Sequence, residues 1–143
     1  HLAEPLWVER AFAAELAARA APLPDVTTLP LAVGALEQAL GAGGFAGVLH
    51  ARRGLSAGAA SQRLTAAQGA HLVTQMSNSV AFGGGYDTLA DTIYATGPIT
   101  VWRSPVHVRV AIDPTTNERQ AVAERQITFG WECPTTVYST EVI

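Results

Sequence analysis

Apolar residues recur along this chain at helical spacing first and at strand spacing later. Val8, Phe12 and Leu16 lie four apart and share one face of a helix predicted over Pro5–Ala21. Glu4 and Pro5 suit its first turn, the alanines favour its interior, and Glu15 and Arg19 form an i, i+4 pair. Leu6 and Trp7 fall off the stripe, so this helix is expected to be contacted on more than one side. Pro22 and Pro24 stop it. Val33, Leu36 and Leu40 predict a second helix over Leu31–Leu40, with Gly41 or Gly43 to cap it.

The later chain reads differently. Phe45–Ala51 is a short apolar run expected to be a buried strand, ended by Arg52-Arg53-Gly54. A weaker helical signal covers Ala57–Leu64, and extended chain follows at His71–Thr74. Gly83-Gly84-Gly85 marks a loop or a tight backbone contact. Thr92–Ala95, Ile99–Arg103 and Val106–Val110 are extended runs broken by Thr-Gly-Pro and Ser-Pro. Val106, Val108, Val110 and Ile112 alternate with polar or small residues, which predicts a half-buried strand. Asp113–Glu118 is turn chemistry, and the strand after it completes an antiparallel hairpin. "TTVYSTEVI" gives a last strand. Helices first and strands last argue for an α+β fold.

Composition narrows the classes. A chain of 143 residues fits one compact domain, and 48% hydrophobic with 15% charged residues is globular. The net charge of −3 argues against a dedicated nucleic-acid binder. Cys133 is the single cysteine, which excludes an internal disulfide and a multi-cysteine zinc site. No apolar run approaches the roughly 18 residues of a membrane span. "HLAEPLWVER" lacks the basic-then-apolar pattern of a signal peptide, and it lacks an initiating Met, so a processed or truncated chain is expected.

No catalytic signature emerges, and no cofactor or metal is expected. The glycine triplet is not followed by a Lys or Ser/Thr in phosphate-loop register. His50, His71 and His107 are scattered and read as surface or satisfied structural histidines. Cys133 reads as a buried inert thiol. Asp87 and Asp91 read as solvated polar groups rather than an acid/base pair. Arg52 and Arg53 read as a solvated turn or as salt-bridge donors at an interface. Trp7, Trp102 and Trp131 are large side chains for so small a chain, and an aromatic beside an arginine, as at Trp102-Arg103, suits either core packing or a protein contact.

An ordered series of short motifs carries a resemblance. It runs from Tyr94-Ala95-Thr96-Gly97-Pro98 through Trp102-Arg103 and Thr116-Asn117 to Ala123-Glu124-Arg125, with "ALEQALGAGGFAGVLHA" before it. From about Leu31 onward the chain resembles the C-terminal part of the major capsid proteins of tailed bacteriophages, especially those of actinobacterial hosts. The resemblance implies a capsid-type fold. Pro5–Ala21 would be its spine helix. Residues 31–91 would form an axial domain of helices packed on a small mixed sheet. Residues 1–30 and 92–143 would form the peripheral helix and antiparallel strands, all within one compact unit. It implies a structural subunit, not an enzyme, in the virion capsid. Its partners would be identical subunits in pentamers and hexamers, and double-stranded DNA held non-specifically, with no membrane. Trp7, Arg52, Arg53, Gly83, Gly84, Gly85, Trp102 and Arg103 are the expected interface residues. The family's N-terminal arm and extended loop precede the spine helix and have no counterpart here. The chain is therefore expected to be the C-terminal portion of a longer subunit, or a reduced relative. Family cross-linking needs a lysine, and this chain has none. The alternatives are a small α+β enzyme using His50, His107 and Asp113, another ring-forming virion component of tail or connector, and an encapsulin-like shell protein.

Overall fold

The computed structural model describes residues 3–131 and 137–143, which leaves Cys133 outside the described residues. The chain is mixed α+β. Helix α1 is Ala3–Arg19, β1 Ala21–Pro22, α2 Leu29–Ala42, β2 Val48–Arg52, α3 Ser56–Ser61, β3 Ala66–Gln68, β4 His71–Val73 and β5 Ser79–Gly83. A 3-10 segment, Gly84–Leu89, leads into β6 Thr92–Thr96, β7 Ile99–Arg103, β8 His107–Asp113, β9 Glu118–Glu124, β10 Ile127–Trp131 and β11 Tyr138–Glu141.

Contacts gather these elements into two compact units, residues 1–99 with 131–143, and residues 100–130. Within the first unit, helix α1 packs on Gly84–Leu89.

The first unit is built on a seven-stranded mixed sheet in the order β1-β11-β6-β2-β5-β4-β3. Strand β2 lies at its centre, parallel to β5 and antiparallel to β6. Alternation along β2 points Leu49 and Ala51 to one side and His50 to the other. Leu49 and Ala51 join Ile93 and Ala95 of β6 against Ala32, Leu36 and Leu40 of α2. Leu36, the middle of the predicted stripe, is fully buried. On α1, Phe12 and Leu16 are buried as their spacing predicts, and the Arg19–Glu15 pair forms at 3.0 Å. The expectation that α1 is contacted on several sides is not met within the chain, since Trp7 is 68% exposed.

The glycine triplet is not a loop. Gly83 ends β5, and Gly84 and Gly85 open the 3-10 segment beneath α1. The backbone N–H of Gly85 donates to the Glu9 carboxylate at 2.5 Å. A Cβ at Gly85 would lie 2.6 Å from both the Leu6 carbonyl oxygen and Glu9 Cβ, whereas one at Gly84 would meet only the tip of the Leu6 side chain at 3.3 Å. The tight backbone contact is therefore with the chain's own helix. Strand β5 went unread because Val80-Ala81-Phe82 is short and its ladder partner is some thirty residues earlier.

In the second unit, β7 pairs with β10, and β8 pairs with β9 as a separate two-stranded sheet. The single strand predicted after the turn is broken at Arg125–Gln126 into β9 and β10. There Ser104 N–H donates to the Gln126 carbonyl at 2.9 Å, and Gln126 N–H donates to Ser104 Oγ at 2.8 Å. Pro98 and Pro105 sit in the gaps between strands, where no ladder bond is lost.

Gly85→Ala is expected to lower stability by roughly 1–3 kcal/mol in urea denaturation, because backbone atoms of α1 cannot yield. Gly84→Ala is expected to stay within about 0.5 kcal/mol of the parent. Equal effects of the two substitutions would refute the packing of α1 on this segment.

Candidate functional site

The residues proposed for catalysis divide between the two units, with His50 in the first and His107 and Asp113 in the second. His50 is 2% exposed, with its ring between Phe12 and Tyr86. Its Nδ1 lies 3.2 Å from Tyr86 Oη and its Nε2 lies 3.0 Å from Thr96 Oγ1, so both nitrogens are satisfied by hydroxyls. Burial pushes its pKa down to about 3, so it is a neutral imidazole sealed in the core. Burial, with Glu9 nearby, pushes the Tyr86 phenol up, and burial does the same to Tyr94.

His107 and Asp113 are the first and last residues of β8. Six residues of strand separate them by roughly 20 Å. Asp113 is a turn residue. Its Oδ1 accepts from the Thr115 hydroxyl at 2.5 Å and the Thr115 N–H at 2.9 Å, and these bonds hold its carboxyl below the usual range. No cluster of metal-ligating side chains occurs among the described residues.

The interface candidates divide. Gly83 and Gly85 are covered by α1. Arg52 donates through Nε and Nη2 to Asp91 Oδ1, at 3.1 and 2.6 Å, which ties β2 to the turn before β6. Gly84 is half-buried, and Arg53 is exposed at the end of β2. Trp7 is exposed on α1, Arg103 is exposed on β7, and Trp102 is 56% exposed with its ring near Gly130.

The most unusual surface is the β8–β9 ribbon. Its register pairs Val108 with Ala123, Val110 with Ala121 and Ile112 with Arg119. Directly paired residues share a face, so Val108, Val110, Ile112, Ala121 and Ala123 form one apolar face with Arg119 at its turn end. The other face carries His107, Arg109, Asp113, Glu118, Gln120 and Glu124, with Ala111 and Val122 among them. An Arg109–Glu124 pair at 2.6 Å crosses it. An open hollow of about 640 Å³ lies at the base, lined by residues that include Ser104, His107, Glu124 and Gln126.

All fourteen residues of the two strands are exposed, and Val108 and Val110 are each 63% exposed. This corrects the half-buried strand expected from the alternation. The period identifies which side chains share a face, and it does not say whether that face is covered. A two-stranded hairpin is marginal in water, and one with its apolar side open to solvent is an unusual surface.

No family model, curated protein or solved structure matches this chain.

Lowering pH tests the His50 seal. The unfolded chain binds a proton near the ordinary histidine value of 6.5 and the folded chain only near 3, so stability falls as pH drops below about 6.5 and the loss is complete near 3. By about pH 4.5 the contribution is on the order of 2–3 kcal/mol. Urea midpoints for the parent and for His50→Gln, which cannot titrate, are expected to diverge in slope over this window. Parallel pH profiles would refute the assignment.

Proposed function

We propose that this chain is a structural subunit of an icosahedral shell of the phage-capsid type, self-associating into rings that enclose double-stranded DNA. The observation that carries the reading is the amphipathic β8–β9 ribbon, with its apolar face open to solvent. Burial of such a face is favourable by about 25 cal/mol per Å² of apolar surface removed from water. In a closed assembly that gain is repeated at every subunit.

Other features support it. Exposed Trp7 and Trp102 are the aromatic type enriched at protein contacts. His50 is buried with both ring nitrogens bonded, and His107 and Asp113 stand at opposite ends of one strand, so these residues lend the enzyme alternative no support. The motif series from Tyr94 to Arg125 supplies the capsid reading specifically, and the first unit's mixed sheet with helices is compatible with an axial domain.

Negative-stain microscopy of the protein expressed from its complete gene is expected to show closed particles with five- and six-fold rings. Val110→Asp is expected to abolish them while leaving the circular dichroism of the subunit unchanged. A strict monomer at high concentration would overturn the proposal. Open rings of one fixed symmetry would also overturn it and favour a tail or connector subunit.

A further inference from the structure

The distribution of charge indicates what covers the ribbon. The first unit carries five arginines against nine carboxylates, a net −4, and the second carries four arginines against three carboxylates, a net +1, which together give the −3 of the whole chain. Within the ribbon, Asp113, Glu118 and Glu124 all stand on the face opposite Val108, Val110 and Ile112. The single charged residue on the apolar face is Arg119, paired with Ile112 at the turn end. The face is therefore apolar and cationic, with no carboxylate to repel an acidic partner.

We propose that this face docks on the acidic first unit of a second copy of the same chain. This deepens the shell reading and rests on it. Every copy carries both surfaces, so the contact can repeat head-to-tail from copy to copy, and it generates a ring where the rotation between copies closes. Opposite signs steer the encounter and fix its polarity, and apolar burial holds it.

The size of the face sets the strength. Seven residues per strand give a ribbon about 24 Å long and about 10 Å wide, so one face offers on the order of 240 Å² before side-chain relief is counted. A stable specific interface buries about 800 Å² per partner. One docking event is therefore weak, and it persists only where further contacts close the ring. Two ribbons packed face to face would match in apolarity but would bring together surfaces whose only charge is arginine.

The test is site-specific photo-cross-linking. A benzoylphenylalanine at Ala121, on the apolar face, is introduced into protein labelled with nitrogen-15 and mixed with unlabelled protein. Cross-links from the ribbon to unlabelled peptides of residues 3–99 or 137–143 are expected. Arg119→Glu is expected to reduce their yield about tenfold, as is raising the salt to about 1 M. Cross-links only within the labelled chain, only between two ribbons, or with no dependence on Arg119 and salt would overturn the proposal. Its failure and that of the shell reading are distinguishable. Particles that form normally with Arg119→Glu and Val110→Asp remove the docking and leave the shell. Inter-copy cross-links without any ring or particle leave the docking and remove the shell.

Discussion

Strand β2 holds the first unit together because it faces a helical layer on each side. Leu49 and Ala51 seat α2, while His50 turns toward Phe12 of α1 and Tyr86 of the 3-10 segment. An imidazole in that position is tolerable only if neutral and bonded at both nitrogens, which Tyr86 and Thr96 provide. Those two residues come from segments that must already be folded against β2. The layer beneath α1 is thus specified by His50 together with the Glu9–Gly85 bond, and the layer beneath α2 by apolar packing with Glu37 accepting from Thr74 and Asn78.

The local elements were largely legible, for physical reasons that can be named. The stripe Val8-Phe12-Leu16 is a short-range signal, and α1 follows it. The turn at Asp113–Glu118 is equally local: Asp113 bonds Thr115, and Asn117 takes the left-handed conformation at φ 55°, so the hairpin register follows from the turn. What could not be read is what depends on distant partners. Strand β5 exists because β2 offers it an edge, and the Glu9–Gly85 bond spans 76 residues of sequence. The exposure of Val108 and Val110 was invisible for a different reason, since alternation describes a face and not its neighbour.

The two units put different physics in one chain. The first satisfies its own core, and Arg52–Asp91 and Arg10–Asp87 neutralise part of its acidity internally. The second leaves its valines and isoleucine open. Substitutions on the open face of the second unit therefore leave the core of the first untouched.

The ribbon's outer edges carry a further consequence. Two strands leave one flank of β8 and one of β9 with backbone groups that no neighbouring strand satisfies, a template for sheet growth without limit. Pro105 and Pro114 bracket β8 and deny an added strand any pairing beyond its seven residues. Glu118, Arg119 and Glu124 place charge at both ends of β9. Contact through the face is left open while extension through the edge is blunted. Proline and charge at the edges are what guard a ribbon with solvent-exposed valine against amyloid-like stacking.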